Sequence, residues 1–135
     1  MVDVGLVVLR LVLGVIFAAH GAQKLFGSFG GPGLKGTAVF FEQLGLRPGR
    51  PMALLAGLAE FVGGILVAVG FLTPLAAVAL IAVMVVAMHT VHLKNGFFAQ
   101  NGGYEFNLAL AGMALTLLLA GAGAFSLDGV LGILW

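Results

Sequence analysis

Four long apolar runs, at about residues 4–26, 52–72, 75–93 and 106–122, dominate the chain, with polar positions gathered at their ends. Each approaches the ~20 residues that an α-helix needs to cross a ~30 Å hydrocarbon layer, so the pattern predicts four membrane spans. In the first run Arg10, Gly14, Phe17, Gly21 and Lys24 are spaced by four, three, four and three. They share one helical face, and a face with two charges and two glycines is expected to point into a bundle, where small residues admit a neighbouring backbone. Arg10 lies near the far end of this helix and has the length to snorkel outward to the headgroups.

Between the first two runs the pattern breaks. Gly30-Gly31-Pro32-Gly33 interrupts any helix, and residues 37–44 form a short amphipathic piece in which Thr37 is the expected N-cap. This piece is too short to span and is read as an interfacial or re-entrant helix across the bundle mouth. The second run carries Glu60 near its middle, about nine residues or roughly 13 Å below the loop. An unpaired carboxylate there costs ~2.5 kcal/mol or more, so Glu60 is expected to be protonated or to face a partner inside the bundle. Phe71-Leu72-Thr73-Pro74 reads as a tight turn, with Pro74 in the first turn of the next helix. The third run ends with His89 and His92, three apart and hence on one helical face. After the fourth, Ser126 and Asp128 suggest a capped terminal turn at the far interface, where Trp135 would anchor.

Composition confirms the class. Hydrophobic residues make up 61% and charged residues 8% of the 135 positions, and the mean hydropathy is +1.20. Soluble domains carry roughly a quarter charged residues, so the expected fold is an all-α integral membrane four-helix bundle forming one domain over residues 1–135. Residues 4–26 lack a basic leader and a small-residue cleavage site and are expected to be a retained helix. Six Lys plus Arg against five Asp plus Glu leave no basic patch for nucleic acid, and with no cysteine the chain has no disulfide or thiolate chemistry. The glycines match no phosphate-binding loop.

Because successive spans run antiparallel, His20, Gln23, Lys24, His89, His92, Asn95, Gln100, Asn101, Tyr104, Glu105 and Asn107 collect at one mouth, with Glu60 beneath. The other end offers only Asp3, Thr73, Ser126 and Asp128. Polar groups at membrane depth are costly, which makes the mouth the candidate site. Depth matching at ~1.5 Å per residue predicts that His20, Glu60 and the His89/His92 pair converge in one polar pocket roofed by residues 37–44. Lys24, Lys35, Arg47, Arg50 and Lys94 flank the mouth, so the positive-inside rule orients it to the cytoplasm of a cell (plasma or inner) membrane, with both termini outside.

Three separated motifs carry a family resemblance over essentially the whole chain. The run from Leu9-Arg10-Leu11 into His20-Gly21-Ala22-Gln23-Lys24-Leu25-Phe26-Gly27, Glu60 within Ala56-Gly57-Leu58-Ala59-Glu60, and His92-Leu93-Lys94-Asn95-Gly96-Phe97-Phe98 with Asn101-Gly102-Gly103-Tyr104-Glu105 resemble the DoxX family of small bacterial and archaeal membrane proteins. The resemblance implies a four-helix membrane protein with a loose link to redox systems, since a DoxD-type relative is a subunit of a thiosulfate:quinone oxidoreductase; most members have no established activity.

The residues admit several chemistries. Haem would need two of the histidines facing each other across helices, and a zinc or iron site would need the histidines with Glu60 or Glu105. A quinone or other lipophilic ligand fits the residue set better: His and Lys can hydrogen-bond its oxygens, and Glu60 can relay protons. No flavin, haem or nicotinamide motif is present to move electrons, so a quinone-handling chain would need a redox partner subunit. The alternative is a non-enzymatic small-solute carrier or a scaffold that recruits soluble redox enzymes, although a single four-helix chain shows no inverted repeat. Gly57, Gly63, Gly64 and Gly70 could pack helices within one chain or across a homo-oligomer.

Overall fold

The computed structural model describes residues 1–133 and is helical throughout its ordered elements; the expected anchor Trp135 lies outside the described residues. Helix α1 (Val2–Phe26) leads through a short turn into α2 (Gly33–Gln43), and α3 (Gly49–Val69) and α4 (Thr73–Ala87) follow. Helix α4 continues through a π-turn (Met88–His92) and a 3-10 turn (Leu93–Asn95) before α5 (Glu105–Ala120) and the terminal α6 (Leu127–Val130). Among the described residues, three segments have the length and apolarity of a membrane span: Val2–Phe26, Gly49–Val69 and Thr73–Asn95. Helix α5 is apolar but has only 16 residues, about 24 Å at 1.5 Å per residue and short of a ~30 Å hydrocarbon layer. The rows of exposed Val and Leu on the outer helix surfaces, among them Val8, Val15, Leu55, Val62, Val78 and Leu119, are what a bilayer accommodates and water does not.

The closest pair is α1 with α3. Gly14 lies against the backbone of Gly64, Gly21 against Phe61, and Gly57 against Leu25, so the two helices run antiparallel. A methyl group at Gly21 would collide with the Phe61 backbone. Hydrocarbon tails are as apolar as leucine, so close van der Waals packing of this kind holds such helices together. The face read from the sequence is the one that packs: Arg10, Gly14, Phe17 and Gly21 are buried, and Lys24 is half-buried at its end. Leu13, Phe17, Val67, Leu80, Leu110 and Leu117 fill the centre between α1, α3, α4 and α5.

Two boundaries differ from the sequence reading. Helix α2 begins at Gly33, one turn earlier than expected, so Thr37 is not its N-cap but a buried interior residue. Its hydroxyl donates to the Gly33 carbonyl at 2.7 Å, as Thr does within helices, and Pro32 takes the cap position. Helix α3 also starts one turn early, at Gly49, held by the Gly49 amide donating to Glu42 at 2.7 Å. The expected turn at residues 70–74 is present, with left-handed Gly70 closing α3 and Pro74 in the first turn of α4.

The far end contains more structure than its few polar residues suggested. Arg10 does not snorkel: it is 3% exposed and donates to the carbonyls of Ala122 at 3.2 Å and Phe125 at 2.9 Å. Asp128, near enough for a favourable coulombic interaction with Arg10, accepts from the backbone amides of Leu72 at 2.9 Å and Thr73 at 3.0 Å. These amides open α4, where a carboxylate also meets the positive end of the helix dipole. Ser126 caps α6 by accepting from the Gly129 amide, and Asp3 accepts from Ala124. This end is a polar lock between α1, the start of α4 and the C-terminal segment.

Candidate functional site

At the other end of α1, Lys24 forms an ion pair through its Nζ with Oε1 of Glu60 on α3. Glu60 is 1% exposed, whereas the Lys24 side chain is 24% exposed. The close approach of Gly57 to Leu25 brings the two helices together at this level and lets the lysine reach across. One carboxylate oxygen satisfies one of the three ammonium protons and leaves two for another acceptor.

Lys24 also lines a cavity of about 550 Å³. Phe40 and Phe41 of α2, with Leu44 and Leu46 just beyond it, roof the cavity, Met52, Leu55, Ala56 and Ala59 of α3 form one wall, and Ala79, Ala82, Val83, Met84, Val86 and Ala87 of α4 form the other. Thr90, Val91 and His92 complete it along the π-turn. The space exists because alanines face alanines. Ala56 with Ala59 and Ala79 with Ala82 are each three apart and so share a helix face, and their short side chains leave a gap between packed backbones. Leu55 and Val86 are exposed, so the cavity lining reaches the outer apolar surface of the helices. Lys24, Thr90 and His92 are its polar lining; the remaining wall is apolar.

The sequence-predicted residues therefore divide. Lys24 and His92 line the cavity, and Glu60 sits behind Lys24 as its partner. His20 does not join them. It is exposed on α1, its Nδ1 bonded to the Ile16 carbonyl at 2.8 Å and its ring 6.0 Å from that of Phe106. His89 is likewise exposed. The spacing of three would put His89 and His92 on one face of an α-helix, but the wider π-turn separates them, and such turns recur at functional sites.

The loop residues form a scaffold around His92. Its Nδ1 donates to the Gly102 carbonyl at 2.8 Å, which also accepts from Asn95 at 3.2 Å. Glu105 accepts from the Ala99 amide at 3.1 Å, and the Tyr104 ring meets Phe97 edge-on at 5.5 Å. Gln23 reaches the Phe29 carbonyl at 3.5 Å, while Gln100 and Asn101 are exposed on a short 3-10 turn. Asn107 is buried and donates to the sulfur of Met84, a cavity residue. Among the described residues no group of three or more His, Asp or Glu is arranged to hold a metal ion. Sequence reasoning missed the apolar wall; the signal that could have found it is the pair of three-spaced alanines on successive spans.

Comparisons with known proteins place the chain among membrane proteins. The chain is 32% identical over 93% of its length, and 86% of the relative's, to a Bacillus subtilis protein named "Putative oxidoreductase CatD". It is 29% identical to "Inner membrane protein YqjF" of Escherichia coli, covering 98% of this chain and 96% of that one. It is also 32% identical to "Uncharacterized membrane protein Rv3486" of Mycobacterium tuberculosis, covering 89% and 77% respectively. No solved structure gives a significant match. The DoxX family model matches residues 5–93, from the first turns of α1 through the π-turn that carries His92, and the chain belongs to the DoxX family of membrane proteins.

Proposed function

We propose that the cavity between α3 and α4 binds a quinone or another small lipophilic ligand, and that the chain does so as a subunit of a redox-associated membrane complex. The observation that carries this reading is an apolar cavity of about 550 Å³ between two span-length helices, with Lys24 among its lining residues. Its volume is within the range of small-molecule sites, and a lining that reaches the outer apolar surface suits a ligand that arrives through the bilayer. Lys24 retains protons to donate to a ligand oxygen while Glu60 balances its charge. The Bacillus subtilis relative is named as an oxidoreductase, which supports a redox setting. Since the chain has no cysteine and no nucleotide- or haem-binding motif, electrons would be exchanged through a partner subunit. The excess of Lys and Arg around the mouth orients the cavity to the cytoplasmic side, with both termini outside.

The test is equilibrium binding of decylubiquinone to the purified protein in nanodiscs, with quinone extracted from the native preparation as a second readout. Ala59→Phe fills the cavity from the α3 wall. Saturable binding by the parent, weakened about tenfold or more in Ala59→Phe, is the expected result. A quinone-free protein that binds no decylubiquinone would turn the assignment towards a scaffold or carrier.

A further inference from the structure

His92 carries information that its position alone does not. Its Nδ1 lies 2.8 Å from the Gly102 carbonyl oxygen, and a carbonyl can only accept, so Nδ1 must hold the proton. In a neutral imidazole the other nitrogen is then a bare acceptor. The assignment is reinforced by its surroundings. The same carbonyl is fixed by Asn95 Nδ2 at 3.2 Å, and the Gly102 amide closes a turn onto Ala99 at 2.9 Å. Because the His92 side chain lines the cavity while Nδ1 is engaged by the loop, Nε2 is the nitrogen left for a ligand.

The polar lining then has defined and unequal demands. Lys24 offers only donors, whereas His92 Nε2 needs a donor from the ligand. A quinone has acceptor oxygens alone and leaves Nε2 unmatched against an oxygen lone pair. A hydroquinone can satisfy both, since its hydroxyl donates to Nε2 and either of its oxygens can accept from Lys24. We infer that the site selects the reduced, hydroxyl-bearing form of its lipophilic ligand over the oxidised form, with His92 as the specificity-determining residue. This rests on the function proposed above and specifies the redox state of the ligand bound at that same cavity. A site that hydrogen-bonds a hydroxyl discriminates against an analogue lacking it because the site's own polar group is left unpaired.

The experiment compares decylubiquinol with decylubiquinone, both titrated anaerobically at pH 8 into the full-length protein in nanodiscs. The parent should bind the quinol about tenfold more tightly than the quinone, the scale of one well-placed hydrogen bond. His92→Leu should bring the ratio close to one, and His92→Gln, whose amide oxygen can accept, should restore part of it. The ratio separates specificity from a merely structural role, which would weaken both ligands together. If His92→Leu fails to fold, the parent ratio still decides, as does ¹⁵N NMR of the histidine-labelled parent, which should show a His92 Nε2 without a proton. Equal binding of the two forms, tighter quinone binding, or a proton on Nε2 overturns the inference while leaving the cavity's ligand-binding role standing. Failure of both ligands to bind removes the two together.

Discussion

The two ends of α1 each place a cation beside a carboxylate, yet they use the arrangement differently. At the far end Arg10 is almost wholly buried, its terminal nitrogens are committed to the Ala122 and Phe125 carbonyls, and Asp128 is committed to the opening amides of α4. At the mouth Lys24 meets one oxygen of Glu60, stays partly exposed, and borders open space. The contrast separates a cation whose terminal nitrogens bind the fold's own carbonyls from one that keeps donors beside open space. Inside a membrane both are costly, so cost alone does not mark a site; uncommitted donors next to a cavity do.

The largest expected effect is at the lock. Arg10→Ala leaves the Ala122 and Phe125 carbonyls without their donor and removes the cation nearest Asp128, and should lower stability by about 3 kcal/mol, the scale for leaving two buried acceptors unsatisfied. The measurement is unfolding in mixed micelles, and a loss under 1 kcal/mol would erase the distinction between the ends. At the mouth, Glu60→Leu strands Lys24, but the partly exposed lysine can extend towards the interface. The expected loss is smaller, about 2 kcal/mol, and Glu60→Gln, which keeps size and hydrogen bonding, should stay within about 1 kcal/mol of the parent. An equal loss in both Glu60 variants would show that charge, not occupancy, is what Lys24 requires. The smallest effect is assigned to His20, which bonds only within its own helix. His20→Ala should change stability by less than about 0.5 kcal/mol and leave decylubiquinone affinity unaltered; a tenfold loss of affinity would draw His20 back into the site.

Much of this architecture is legible in the chain. The spacing of Arg10, Gly14, Phe17, Gly21 and Lys24 gives the buried face of α1, and the depth of Glu60 requires an interior partner. Depth matching groups Glu60 with His20 and the His89/His92 pair and passes over Lys24, because it ignores that a flexible lysine can fold back along its helix to reach a deeper carboxylate. The glycines before α2 read as breakers, yet Gly33 opens the helix from a left-handed conformation that glycine adopts without strain. The π-turn has no side-chain signature, so the separation of His89 from His92 is invisible to a count of three. The lock is hidden for a related reason: Arg10 binds backbone carbonyls and Asp128 binds backbone amides, and neither partner announces itself in the residue types.

The most direct test is decylubiquinone binding to the double variant Lys24→Met/Glu60→Leu, measured alongside its unfolding. Replacing an ion pair by apolar groups of similar size is often neutral or stabilising, so folding should remain within about 1 kcal/mol of the parent while affinity falls about tenfold or more. A double variant that folds normally and binds as tightly as the parent would contradict the assignment of the mouth as the ligand site.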